Sequence, residues 1–101
     1  MMDQGFVLDS YSEPYKLALI SYVELVLMRR GNANYHLVMA RLDSLYGCKI
    51  SDCYEHPEYL KTVLKDVYPG DYNSIVSQIK SYLAELADVK EVVDFFKIME
   101  S

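Results

Sequence analysis

Gly31, Gly47 and the Pro69-Gly70 pair divide this chain of 101 residues into segments whose apolar side chains recur every three or four positions. That spacing is the period of an α-helix, and no run alternates with period two for long enough to form a strand. A chain punctuated in this way is confined to the all-α class. The segment lengths predict a single compact bundle of about five helices, with a buried first helix as its central element.

The first helix is predicted over residues 13 to 30, starting near Ser12 or Glu13. Pro14 falls in its opening turn, where a missing N–H costs nothing, and Arg29-Arg30 ahead of Gly31 suit a helix C-terminus. Leu17, Leu19, Ile20, Tyr22, Val23, Leu25, Val26, Leu27 and Met28 leave no clean polar face, the mark of a helix surrounded by protein or forming an oligomer seam. A second helix is expected over residues 33 to 46, with Asn32 or Asn34 as cap and Gly47 as the left-handed terminal residue. Its inward face is Tyr35, Val38, Leu42 and Leu45. After a connector over residues 48 to 56, in which Ser51 and Asp52 can cap a short turn, Pro57 opens a third helix that carries Leu60, Val63, Leu64 and Val67.

The fourth helix is capped by Asp71 and buries the stripe Tyr72, Ile75, Val76, Ile79, Tyr82, Leu83 and Leu86. Asp88 and Glu91 are spaced as a capping box for the fifth, which runs Val89, Val92, Val93, Phe95, Phe96, Ile98 and Met99 with only Lys90, Asp94 and Lys97 to interrupt it. So apolar a helix must cover itself with the core or with another chain. Residues 1 to 10 read as a short N-terminal tail, in which Phe6, Val7 and Leu8 could dock, and residues 11 to 101 as a single helical domain.

Composition narrows the function classes. A hydrophobic fraction of 51% with 25% charged residues is globular and at the apolar end of ordinary usage, so part of the apolar surface calls for a partner. The net charge of −5, with only Arg29-Arg30 adjacent among the basic residues, argues against a sequence-independent hold on nucleic-acid phosphates. The two cysteines, Cys48 and Cys53, follow no basic leader region, so a reducing, cytoplasmic setting is expected. The most apolar run, residues 17 to 28, is interrupted by Ser21 and Glu24 and falls short of the roughly 20 apolar residues that cross a bilayer. No membrane partner is expected.

The densest chemistry lies in Ser51-Asp52-Cys53-Tyr54-Glu55-His56-Pro57-Glu58-Tyr59-Leu60. Cys48, Cys53 and His56 have the ligand types a tetrahedral zinc prefers, with Glu55 or His36 as a fourth, yet the Cys-x4-Cys-x2-His spacing lacks the paired knuckles of structural zinc sites. The plain alternative makes both cysteines small semi-buried hydrophobes and His56 a helix-start residue. A Cys53–His56 nucleophile pair is conceivable, since an imidazolium activates a neighbouring thiolate. The chain offers no glycine-rich phosphate cradle, no Gly-x-Ser-x-Gly elbow and no His-Glu-x-x-His helix to complete such a site. No catalytic residue, cofactor or small-molecule substrate is therefore expected. Glu55 and Glu58 near a helix N-terminus are explained by its dipole.

Ten tyrosines are present, most of them on apolar faces where the ring packs and the hydroxyl reaches the rim. Because tyrosine is enriched at interfaces, Tyr54, His56, Glu58 and Tyr59 form a candidate protein-binding patch, with Phe95, Phe96 and Met99 of the last helix as a second. A helix-turn-helix alternative would set the third helix, with Lys61 and Lys65, in a DNA groove. Glu55, Glu58 and Asp66 flank those lysines and oppose it.

Tyr46-Gly47, the string from Ser51 to Leu60, Val63-Leu64-Lys65-Asp66-Val67-Tyr68 and residues 72 to 83 together resemble the Nitrosopumilus output domain family, small archaeal helical domains placed in signalling proteins or found alone. Where that family has a Phe-Gly or Tyr-Gly stop after the third helix, this chain has Tyr68-Pro69-Gly70. The resemblance implies an all-helical output or interaction role in an archaeal cytoplasm, without catalytic residues. The function expected is a non-enzymatic protein-interaction or signalling output module, self-associating as a homodimer through parts of its first and last helices. The alternatives are a helical DNA-binding regulator and a zinc-binding sensor.

Overall fold

The computed structural model describes residues 3–101, with side chains from Pro14 onward. Its α-helices are α1 (Asp3–Arg29), α2 (Asn32–Tyr46), α3 (Pro57–Val67), α4 (Tyr72–Tyr82) and α5 (Lys90–Met99). Two short 3₁₀ helices, Ile50–Tyr54 and Ala84–Leu86, lie in the α2–α3 and α4–α5 connections. There is no strand among the described residues, and the chain is an all-α bundle. The first helix begins at Asp3 rather than at Ser12 or Glu13, so Pro14 lies inside α1 and not in its opening turn: the helical path is already established about three turns before the proline. The docking of Phe6, Val7 and Leu8 falls on residues whose side chains lie outside those described.

α1 touches α2, α4, α5 and the Ile50–Tyr54 turn, while α2 packs on α3 and α3 on α5. The core is built from Leu19, Val23, Val26 and Leu27 of α1, Val38 and Leu42 of α2, Leu60, Val63 and Leu64 of α3, Ile75 and Ile79 of α4, and Phe95 of α5. Each such side chain removed from water contributes about 1.5–3 kcal/mol before entropy is set against it. No charged or non-aromatic polar side chain is buried among the described residues.

The stop at Gly47 and the start at Pro57 behave as the sequence implies. Gly47 adopts φ 61° and ψ 34°, and its N–H closes α2 on the Asp43 carbonyl. Pro57 is the first residue of α3. The polar caps differ. α2 is preceded by Gly31 at φ 123°, so Asn32 already lies inside the helix and neither Asn32 nor Asn34 caps it. Asp71 stands at the head of α4, but its carboxylate faces the Arg30 guanidinium at 3.6 Å and makes no capping bond. The Asp88–Glu91 capping box is absent. The Ala84–Leu86 turn carries on to Val89, whose N–H bonds the Leu86 carbonyl, so that α5 starts at Lys90 and leaves Asp88 outside.

The apolar stripes are also trimmed. Leu45 at the end of α2 is 58% exposed, and α4 ends at Tyr82, placing the half-buried Leu86 in the following turn. On α1, Leu17 and Met28 are 64% and 45% exposed, so protein does not surround that helix on every side.

Polar ties concentrate where α1 meets α4. Arg30 donates to Ser74 Oγ at 3.1 Å and Gln78 Oε1 at 3.3 Å, and Arg29 donates to the Tyr82 hydroxyl at 3.0 Å. Tyr82 stacks on Tyr22 with centroids 5.1 Å apart. α1 is tied to α2 by the Tyr35 hydroxyl, which donates to Glu24 at 3.2 Å; burial and that carboxylate both raise the phenol's pKa.

Candidate functional site

The region from Tyr46 to Tyr59 folds back on itself. Gly47 turns the chain out of α2, Ile50 and Cys53 anchor the 3₁₀ helix in the core, and Pro57 relaunches the chain as α3. Asp52 stabilises this turn by accepting the Lys49 N–H at 2.9 Å. As a result Tyr46, the last residue of α2, meets Tyr59 in the first turn of α3. Their rings stack at 4.0 Å and 7°, and His56 stacks on Tyr59 at 4.7 Å and 12°. Tyr46 and His56 are exposed and Tyr59 is half-buried, so the three rings form a surface column. Glu58 Oε2 lies 3.4 Å from His56 Nδ1, and Glu55 pairs with Lys16 at 3.5 Å. Arg41 and Asp66 pair across α2 and α3 nearby.

The predicted patch is therefore partly assembled. His56, Glu58 and Tyr59 come together, and Tyr54 sits half-buried in the adjoining 3₁₀ helix. Tyr46 is the member the sequence did not bring in. Its signal was its place immediately before the Gly47 turn, but pairing it with Tyr59 requires knowing how the connector folds.

The second predicted surface is corrected. Phe95, Phe96 and Met99 are 2%, 4% and 1% exposed, and all three belong to the chain's own core. Phe95 and Phe96 meet edge to face at 5.3 Å, and Met99 receives the Tyr72 hydroxyl on its carbonyl. Ile98 is the large apolar side chain that α5 leaves exposed.

The cysteines do not form the sites their spacing suggested. Cys53 is fully buried, its thiol donates to the Lys49 carbonyl at 3.7 Å, and burial pushes its pKa up to about 12. Burial likewise raises the Cys48 thiol. A thiol held protonated is a poor nucleophile, so the Cys53–His56 pair is withdrawn. Cys48, Cys53 and His56 do not converge either: no three His, Cys, Asp or Glu side chains gather to hold a metal ion among the described residues. Core packing keeps the thiols inward while His56 stacks outward on Tyr59. His36 lies against Tyr35 on α2.

The lysines of the helix-turn-helix alternative are occupied within the chain. Lys61 donates to the Ser101 carbonyl and hydroxyl, each at 2.8 Å, and Lys65 lies 5.2 Å over the Tyr72 ring. Among the described residues no helix is long and apolar enough to cross a membrane.

No protein-family model matches this chain, and neither does a curated protein or a solved structure.

Proposed function

We propose that this chain is a non-enzymatic interaction module, an archaeal cytoplasmic output domain of the kind its residue 51 to 60 string resembles, and that it meets a protein partner through the His56–Tyr59–Tyr46 column. The column carries this reading. It gathers three aromatic rings at the surface beside Glu58, and two of them are exposed rather than spent on the core. Flat π-faces next to carboxylates suit a basic, arginine-bearing segment, because a guanidinium stacks on tyrosine while bonding a carboxylate in its own plane.

The test is a backbone NMR titration of the full chain with a short arginine-rich peptide and with its acidic counterpart. Shifts centred on Tyr46, His56 and Tyr59 with the basic peptide alone, weakened in Tyr46→Ser and His56→Ala, support the reading. Shifts elsewhere, or none, refute it.

Self-association is a second reading, favoured by the exposure of Leu17 and Met28 on α1. With the partly exposed Leu25, with Ser21 between and Pro14 one turn before Leu17, they lie along one uncharged stripe of the helix. The last helix no longer contributes to this reading, because its apolar side chains are in the core. Light scattering over a hundredfold range of concentration decides it: a dimer dispersed by Leu17→Glu with Met28→Glu supports α1 as the seam, and a monomer throughout removes it.

A further inference from the structure

The connection between α4 and α5 leaves a cavity of about 460 Å³ that no reading above uses. Leu83, Val92 and Phe96, all buried, form its floor, and Ala84, Ala87 and Val93 its walls. The space exists because the 3₁₀ helix after Leu83 presents alanines where larger side chains would fill it. Its volume is in the range that takes a small organic molecule.

The rim of this apolar cavity is charged. Lys80, Lys97 and Glu100 border it, two ammonium groups against one carboxylate, in a chain whose net charge is −5. Lys80 binds Glu100 at 3.1 and 3.2 Å and stands 6.0 Å over the Phe96 ring. Lys97 is in no ion pair among the described residues, since its neighbour Asp94 is taken by Lys90 at 2.7 Å. Glu100 is thus an internal carboxylate resting on one of two lysines at the mouth of an apolar cavity.

We propose that this cavity binds a free amphipathic monocarboxylate, a medium-chain fatty acid. The alkyl chain lies on Phe96, Val92 and Leu83, and the carboxylate takes Lys97 and replaces Glu100 on Lys80. The Lys80–Glu100 pair is solvent-exposed and so contributes little, and the exchange opposes binding only slightly. Neither a cationic nor a polar ligand meets both the floor and the rim.

Monomeric decanoate, kept below its micellar concentration, is titrated into the full chain and followed by NMR. Saturable shifts confined to residues 83 to 100 are expected, with none from decyltrimethylammonium, which has the same chain and the opposite charge. Ala87→Trp, a surface change that fills the cavity, abolishes binding, and Lys97→Ala weakens it several-fold. Glu100→Gln removes the competing carboxylate and tightens it several-fold. Equal binding of the ammonium surfactant, binding only in the presence of phospholipid vesicles, weaker binding by Glu100→Gln or no saturable binding each overturns the proposal.

Discussion

The Tyr72 hydroxyl donates to the Met99 carbonyl at 2.6 Å, tying the first residue of α4 to the last turn of α5 inside the core. A carbonyl in the last turn of a helix has no partner within that helix, and burial denies it water. This bond supplies the partner from another element.

Tyr72→Phe keeps the ring and removes the donor. The variant is expected to lose about 1–3 kcal/mol, the range for leaving a buried acceptor unsatisfied. Urea denaturation at neutral pH, with the slope unchanged, checks it.

Burial also pushes the Tyr72 phenol up to about 12, as it does the Cys53 thiol. Unfolding returns each group to its lower ordinary value, so at alkaline pH the unfolded chain gives up protons that the folded chain keeps. Stability is therefore at its full value below about pH 9, where the unfolded thiol begins to ionise, and falls as pH rises toward about 12. Each group contributes a slope of about 1.4 kcal/mol per pH unit within its own window. Denaturation curves across the alkaline range measure it, and Cys53→Ala should lower stability at neutral pH while making the alkaline decline shallower.

Leu64→Ala is expected to cost about 2–5 kcal/mol, because the fully buried side chain leaves a cavity among α2, α3 and α5 neighbours. Leu45→Ala, at a site 58% exposed, should stay within about 0.5 kcal/mol of the parent. Equal losses at the two sites would contradict the packing described.

Gly47→Ala is a backbone test. A Cβ at this position meets nothing within 4 Å, so its cost comes from φ 61° alone and should be about 1–2 kcal/mol. The same variant should loosen the Tyr46–Tyr59 stack, which depends on that turn, and ring-current shifts of the two phenols report it.

Helix number, type and most inward faces were legible because burial in this bundle follows the 3.6-residue period: Val38 and Leu42, Leu60 and Leu64, and Ile75 and Ile79 are all found where periodicity places them. The stop at Gly47 was readable because glycine tolerates the positive φ a helix end requires, and the start at Pro57 because proline suits a first turn, although Pro14 lies inside α1. The polar caps were not readable, since Asp71 and Asp88 carry the right side chains but tertiary contacts decide what those side chains bond. Asp71 faces Arg30, just past the end of α1, and Asp88 is displaced by an extra 3₁₀ turn. Periodicity likewise showed that α5 needed cover but not that the chain itself supplies it. The aromatic column was half legible. His56 and Tyr59 announce themselves within one string, whereas Tyr46 joins them only through the fold of the connector, and the α4–α5 cavity depends on Ala84 and Ala87, residues with no chemical signal of their own.

Among the described residues the core holds no charged or non-aromatic polar side chain, and that has a further consequence. Such an interior fixes volume and pattern but names no particular pairings, and size-conserving apolar exchanges in a core usually cost less than about 1.5 kcal/mol. The shape of this bundle is accordingly open to extensive drift in the residues that fill it. The positions that cannot drift freely are those where a special backbone angle or a polar tie is required, Gly31, Gly47, Arg30 and Tyr72 among them.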